Sequence, residues 1–209
     1  MIYLLSDKEF EGATSLGVIA ISLLDVPFTC KDYDALIFTS KNGVAATHRL
    51  DESWQKLPSY AIGKGTAKAI KEYGGRVEYT AISSYGNDFA REISAKLKGK
   101  KVLFPRAKVV LSDLIDILKS NDVSIDDIIV YETTCKECKK IKKPSDGSIL
   151  IFTSPSTVKC FFNCFDWNGT YKAVCIGEKT SAKLPSYIET YLPQKLTIPA
   201  CIELAKTLL

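Results

Sequence analysis

Two stretches of this chain are near-copies of two others, and both pairs are separated by the same distance. Residues 35–44 read ALIFTSKNGV and residues 149–158 read ILIFTSPSTV; residues 61–70 read AIGKGTAKAI and residues 175–184 read CIGEKTSAKL. The pairs begin at Ala35 and Ile149 and at Ala61 and Cys175, a spacing of 114 positions both times. A period of that size belongs to a duplicated domain, not to a solenoid, whose units are far shorter. Each copy has the same grammar. A short apolar run (Leu36-Ile37-Phe38; Leu150-Ile151-Phe152) ends in Thr-Ser, and a helix is expected after Lys41-Asn42-Gly43 or Pro155-Ser156-Thr157. A second run (Tyr60 to Ile62; Ala173 to Ile176) ends at glycine, with another helix expected after Thr66 or Thr180. Short apolar runs bounded by Gly, Pro and Ser and alternating with amphipathic segments read as βα units around a parallel sheet.

Four further runs complete the halves. Ile2 to Leu5 and Lys101 to Phe104 read as strands that each lead into a helix, and Val18 to Leu24 and Ile125 to Tyr131 read as the strands that follow. The expected architecture is α/β, with two flavodoxin-like parallel-sheet domains, one inserted in the other. The first domain takes residues 1–24 and 144–209, and the second takes residues 33–129. Residues 25–32 and 130–143 are linker strands, rich in Pro, Thr, Lys or Cys as linkers tend to be, and able to pair as a two-stranded β-ladder.

Composition narrows the class. Hydrophobic residues make up 46% of the 209 residues, enough for real cores. Runs such as Ile128 to Val130 and Ile149 to Phe152 are far too short to cross a bilayer, and the opening Met-Ile-Tyr-Leu-Leu-Ser-Asp has no basic leader region. The expectation is a cytoplasmic protein with no membrane contact. A net charge of +4 suits an anionic small molecule at least as well as a nucleic acid, and no aromatic-plus-basic nucleic-acid motif appears. Seven cysteines with no regular framework are expected to be reduced thiols. Cys135 and Cys138 form a C-x-x-C and Cys160 and Cys164 lie one helical turn apart, a faint zinc pattern whose spacing is loose for a structural site; buried thiols acting as small hydrophobes are the plainer account. In such a chain the Asn168-Gly169-Thr170 sequon has no meaning.

In parallel α/β sheets ligands bind beyond the carboxyl ends of the strands. Thr39, Ser40, Asn42, Gly43, Gly63, Thr66, Thr153, Ser154, Ser156, Gly177 and Thr180 all fall there. Helix N-termini expose unpaired N–H groups and a positive dipole end, and so take carboxylates or phosphates. The alternative is that Ser, Thr and Asn at these places are ordinary helix caps; only the repetition of the loop set in both halves favours ligand contact. Gly63-Lys64-Gly65-Thr66 lacks the spacing of a phosphate loop. His48, the one histidine, lies too far along its helix to serve Ser40 and reads as a helix-surface residue. No histidine–carboxylate cluster suggests a transition metal. Tyr131 ends a strand beside the second crossing and is either a buried amphipathic tyrosine or a functional one. Arg106 and Lys172 are plausible carboxylate partners, or simply solvated charges.

Taken in order, these segments resemble one family. Ile37-Phe38-Thr39-Ser40-x-Asn42-Gly43-Val44, Ala61-Ile62-Gly63-x-x-Thr66-Ala67, Ser84-Tyr85-Gly86-Asn87, Leu103-Phe104-Pro105-Arg106, Ile129-Val130-Tyr131-Glu132-Thr133, Ile151-Phe152-Thr153-Ser154-Pro155-Ser156 and Cys175-Ile176-Gly177-x-x-Thr180 are similar to the signatures of the uroporphyrinogen-III synthases. The likeness spans nearly the whole chain. It implies a monomeric cytoplasmic lyase with no cofactor and no metal, whose substrate is hydroxymethylbilane, a linear tetrapyrrole with eight carboxylates. It implies loss of water, inversion of ring D and closure of the macrocycle. Tyr131 would be catalytic. Thr39, Ser40, Asn42, Gly43, Gly63, Thr66, Gly86, Asn87, Arg106, Ser154, Pro155, Ser156, Lys172, Gly177 and Thr180 would bind substrate, and the preceding pathway enzyme would be a transient partner. One departure stands out. Where the family usually has Pro-Thr before the last helix, this chain has Pro199-Ala200, and a capping hydroxyl is expected to be missing. The rival readings are a two-lobed binding or sensor module for a small polyanion, and a flavin or nucleotide protein.

Overall fold

A computed structural model describes every residue of the chain except Asp7, Lys8 and Ser84. In chain order the described residues form β1 (Ile2–Leu4), β2 (Thr14–Ser15), β3 (Ile19–Leu23), β4 (Ala35–Phe38), α1 (Lys41–Leu50), β5 (Pro58–Ala61), α2 (Lys64–Glu72), β6 (Arg76–Thr80), α3 (Gly86–Leu97), β7 (Lys101–Ala107), α4 (Leu114–Lys119), β8 (Ser124–Cys135), β9 (Ile149–Phe152), α5 (Pro155–Cys164), β10 (Lys172–Cys175), α6 (Glu178–Ser181), β11 (Thr190–Tyr191) and α7 (Ile198–Lys206). Two 3₁₀ turns cover Glu52–Lys56 and Cys138–Lys140.

The chain divides into two units, Met1–Ala20 with Thr133–Leu209, and Ile21–Glu132. The first holds a parallel sheet in the order β11-β10-β9-β1-β2. The second holds β8-β7-β4-β5-β6, also parallel, with β3 added beside β8. In the first unit the third strand, β9, lies at the centre between the first and the fourth, which is the flavodoxin-type order; in the second unit the central β4 lies between β7 and β5, the same spatial order once the strands are counted from β7. Those centres are β4 and β9, and all four residues of each are buried. A strand covered by helices on both faces must be apolar throughout, and ALIF and ILIF are. Phe89, Ala90, Ile93 and Leu97 of α3 lie on one stripe and pack with Ile37 and Phe104 on one face of their sheet. Phe38, Val44, Trp54 and Ile70 fill the other face. In the first unit, Phe152, Val158 and Phe161 lie on one side and Ile151, Cys201 and Ile202 on the other. Each such fully buried side chain contributes roughly 1.5–3 kcal/mol.

Several expectations are corrected. The run 18–24 is not the second strand of the first unit: the two-residue β2 occupies that place, and β3 pairs with β8. Leu24 N bonds Val130 O at 2.9 Å and Lys136 N bonds Val18 O at 3.0 Å, so the two strands run antiparallel. None of β3 is fully buried, which suits an edge ladder and not a sheet interior. Residues 25–32, expected as a linker strand, form none; Pro27 has no N–H to offer a ladder. No described residue between β1 and β2 is helical, although the sequence predicts a helix there. Conversely, β7 runs on through Pro105 to Ala107, with a bulge at Arg106/Ala107, so Arg106 lies in the strand and not after it. The helices expected after Gly43, Thr66, Thr157 and Thr180 all begin earlier, at Lys41, Lys64, Pro155 and Glu178, with Ser40, Gly63, Ser154 and Gly177 as their N-caps. Thr197 caps α7, accepting from Ala200 N at 3.3 Å, so the alanine at 200 costs the helix no cap. Finally, four of the seven cysteines are not free thiols. Cys135 is bonded to Cys160 and Cys138 to Cys164, leaving Cys30, Cys175 and Cys201 buried and reduced. No described helix is long and apolar enough to cross a membrane.

Candidate active site

In the second unit the loop after β4 and the start of α1 meet Tyr131. Ser40 follows β4 in an extended conformation and N-caps α1, its Oγ accepting from Asn42 N at 3.1 Å. Its hydroxyl also lies near enough to the phenol of Tyr131 to influence its acidity. Tyr131 is only 7% exposed and packs with Ala46 and Val130, against Ile21, Leu23 and Ala107. Burial pushes its phenol above the ordinary tyrosine range; the Ser40 hydroxyl, donating to the phenol oxygen, pulls the other way and does not win. The group is therefore a neutral O–H at physiological pH, able to donate a proton and slow to lose one unprompted. Gly43 lets the first turn of α1 lie close to β7: a Cβ there would fall 3.1 Å from Pro105 O, and at an ordinary 3.8 Å from Tyr131 Cε1.

The other loops of this unit are tied into their own framework. Gly63 caps α2 without a side-chain bond, and Thr66 sits in the first turn, 7% exposed, its N–H on Gly63 O at 3.1 Å. Asn87 spends both ends of its amide on Asp113: Nδ2 donates to Oδ2 at 3.0 Å and Oδ1 accepts from the backbone N at 3.0 Å. Gly86 abuts Ser112 so closely that a Cβ would fall 2.5 Å from its Oγ. Both residues therefore clip the start of α3 to the loop before α4. Ser84, of the same tract, lies outside the described residues. Arg106 Nε donates to Asp127 at 2.5 Å and Nη1 to Ala107 O at 2.9 Å, so much of its guanidinium is already committed. His48 lies 3.6 Å from Glu52 at the far end of α1, away from Ser40 as expected.

In the first unit, Ser154 N-caps α5 and Thr157 completes a capping box. Ser154 Oγ accepts from Thr157 N at 3.3 Å and Thr157 Oγ1 accepts from Ser154 N at 3.2 Å. Pro155 opens the helix, where a missing N–H costs nothing, and Ser156 is half-buried beside it. Thr153 Oγ1 donates to Leu5 O at 3.1 Å. Gly177 caps α6, and Thr180, 3% exposed, sits in its first turn. Lys172 does not join this set. It starts β10, at the end of the strand opposite Gly177, and its Nζ reaches Leu208 O at 2.5 Å. Ligand loops follow strands in this architecture, and Lys172 precedes one. A groove of about 710 Å³ lined by Tyr3, Thr14, Ser15, Lys136, Lys140 and Lys142 shares no residue with these loops. Among the described residues no group of three or more His, Cys, Asp or Glu could hold a metal ion.

A family model described as uroporphyrinogen-III synthase HemD matches residues 18–203, which takes in both copies of the repeat. The chain belongs to the uroporphyrinogen-III synthase family. Porphyrin biosynthesis protein HemD of Ruminiclostridium josui is 29% identical over 189 residues, covering 83% of this chain and 38% of that protein. The chain thus spans less than half the length of this curated relative. Uroporphyrinogen-III synthetase from Helicobacter pylori 26695 is similar over 100% of this chain and 99% of its own, with 29% identity and a TM-score of 0.85. A mutant uroporphyrinogen III synthase from the extremely thermophilic bacterium Thermus thermophilus shares the fold, with a TM-score of 0.62 at 14% identity over 99% and 97% of the two chains.

Membership of the uroporphyrinogen-III synthase family tells against the binding-module and flavin readings, neither of which would predict a match across both halves. The sequence brings Ser40, Gly43 and Tyr131 forward separately. It holds no sign that they meet, since their pairing depends on how β8 lies in the sheet.

Proposed function

We propose that this chain is a uroporphyrinogen-III synthase in activity as well as family. It would cyclise hydroxymethylbilane to uroporphyrinogen III in tetrapyrrole biosynthesis, with inversion of ring D and loss of water, as a cytoplasmic monomer. The observation that carries the reading is the family match from residue 18 to residue 203, and the Tyr131–Ser40 pair supplies chemistry suited to it. The Tyr131 O–H would hydrogen-bond the hydroxyl of the substrate's hydroxymethyl group and protonate it as the carbon–oxygen bond breaks, releasing water and leaving a cationic azafulvene. Ser40, donating to the phenol oxygen, would steady the developing phenolate. The substituted carbon of ring D would then attack the azafulvene methylene to give a spiro intermediate; its bond to the ring C methylene would break, that methylene would rejoin ring D at the free α-carbon, and the proton lost from that carbon would restore the Tyr131 phenol. A positioned acid of this kind contributes about 10²–10⁴-fold.

The eight carboxylates would be met by backbone N–H groups at the starts of α1, α2 and α5, where the helix dipole favours negative charge, with Thr39, Asn42, Gly43, Gly63, Thr66, Ser154, Pro155, Ser156, Gly177 and Thr180 shaping the loops. Gly86, Asn87 and Arg106 would act by holding their loops in place. Many weak grips spread the binding, so most single loop substitutions would be mild, while positioning the reacting ring would supply much of the acceleration. The test is direct. Freshly made hydroxymethylbilane is supplied to the protein, the products are oxidised and the isomers are separated. Type III product is expected; type I alone, the spontaneous product, would reject the activity.

A further inference from the structure

The four paired cysteines lie apart from the proposed chemistry, and their surroundings are unequal. Cys135 closes β8 and Cys138 follows in the 3₁₀ turn Cys138–Lys140. Cys160 and Cys164 lie one turn apart on α5, so two cross-links run side by side between the segment and the helix, Cys135–Cys160 and Cys138–Cys164. The inner bond is sheltered. Cys160 is 2% exposed, Cys135 is half-buried, and both pack with Phe161, Phe162, Phe165 and Trp167. The outer bond ends at Cys138, which is exposed, with Cys164 half-buried. A disulfide is opened by a thiolate attacking a sulfur it can reach, and access therefore separates the two bonds.

Charge separates them further. Residues 136–143 read KECKKIKK. Lys139 and Lys140 directly follow Cys138, and the nearby acid, Glu137, is held by Lys140 at 3.0 Å. Positive charge beside Cys138 draws in an attacking thiolate and stabilises the Cys138 thiolate when it leaves in the second exchange. The reduced state also has a ready partner: the carbonyl oxygen of Asn163 lies 3.5 Å from Cys138 Sγ, and a thiol there would have a proton to give it. The remaining cysteines cannot interfere. Cys30, Cys175 and Cys201 are buried, and burial pushes their thiols up to about 12, 12 and 11.

We propose that Cys138–Cys164 is a thiol–disulfide exchange site, opened by a protein dithiol or a small dithiol, while Cys135–Cys160 remains as a staple. A donor thiolate attacks Cys138 Sγ. The bond to Cys164 breaks, and Cys164 leaves as a thiolate that takes up a proton. The donor's second thiolate then attacks its own sulfur in the mixed disulfide, and Cys138 leaves and is protonated. The chain gains two electrons and two protons, and the donor dithiol becomes a disulfide. The C-terminal end of α5 is thereby released from the 3₁₀ turn, while Cys160 still holds the helix that Ser154 caps. Disulfides that persist in reducing compartments are usually of this exchanging kind.

The experiment uses the full chain, equilibrated in dithiothreitol mixtures of increasing reducing strength, quenched with a mass-tagged maleimide and read by intact mass and peptide mapping. At mild poise two tags are expected, on Cys138 and Cys164. Tags on Cys135 and Cys160 should need stronger reduction or denaturant, and their bond should open about tenfold more slowly. The Cys138→Ser, Cys164→Ser double variant should lose the first step and keep the second. Simultaneous opening of both bonds, earlier opening of Cys135–Cys160, or four free or zinc-bound thiols in the air-equilibrated protein would each overturn the proposal.

Discussion

The loops Thr39–Val44 and Thr153–Val158 descend from one repeated pattern, yet they end differently. Both place a serine at the helix N-cap after a fully buried strand. They part at positions 43 and 157, which the 114-residue spacing makes equivalent. In the first unit that position is Thr157, fully buried, whose hydroxyl closes the capping box on Ser154. The cap is satisfied from within its own turn. In the second unit it is Gly43, which cannot close a box. It leaves room for the neighbouring strand, and the serine oxygen, while capping Asn42 N at 3.1 Å, also meets the phenol of Tyr131. One copy spends its first turn on stability. The other leaves it open for a side chain supplied by β8.

The sharpest test of that contrast is Tyr131→Phe. The proposed acid disappears while the ring stays, so turnover of hydroxymethylbilane to type III product should fall about 100-fold, with thermal stability lowered only by the lost hydrogen bond, about 1 kcal/mol. Full turnover in this variant would leave Tyr131 as a wall residue. Gly43→Ala comes next. The added methyl presses on Pro105 O at 3.1 Å and nears Tyr131. Alanine favours a helix over glycine by about 1 kcal/mol, so stability should hold to within about that amount while a displaced Tyr131 costs about tenfold in turnover. Equal loss of activity and stability would mean that the glycine serves packing alone. In the closed copy the pattern should reverse. Thr157→Val keeps the branched shape and removes the box hydroxyl, so the melting temperature should drop by a few degrees, about 1 kcal/mol, with turnover per folded molecule unchanged.

Much of this contrast is legible in the sequence because it is local. A buried strand, a Ser cap and a helix lie within ten residues of one another, and their repetition identifies the parallel sheets. What escapes depends on partners far along the chain. Whether 18–24 joins β1 or β8 turns on which edge offers bonds, and a half-buried run is compatible with either. Lys172 reads as a carboxylate partner by its charge, but strand direction puts it at the end of β10 away from the ligand loops. All four repeat helices start three residues earlier than the pattern puts them, whether the cap is a serine (Ser40, Ser154) or a glycine (Gly63, Gly177), because each cap lies just after its strand. The cysteines show spacing without pairing: a C-x-x-C and a helical pair suit a metal, a core or two cross-links equally until the segment is laid beside the helix.

The smallest expected effect lies in the pH dependence. Burial raises the phenol of Tyr131 in the folded chain above its unfolded value, near 10. Below pH 10 both states hold the proton and this group contributes no slope. Above it the unfolded chain releases its proton first, so stability is lost as pH rises from the unfolded value through the folded one. Tyr131→Phe has no proton to lose and should show a shallower decline over that window in urea titrations at pH 9, 10 and 11. The Thr157→Val slope should match that of the unsubstituted chain. If wild type and Tyr131→Phe lose stability in parallel, the phenol is better solvated than its 7% exposure implies, and the open copy of the loop admits water where the proposed mechanism needs it excluded.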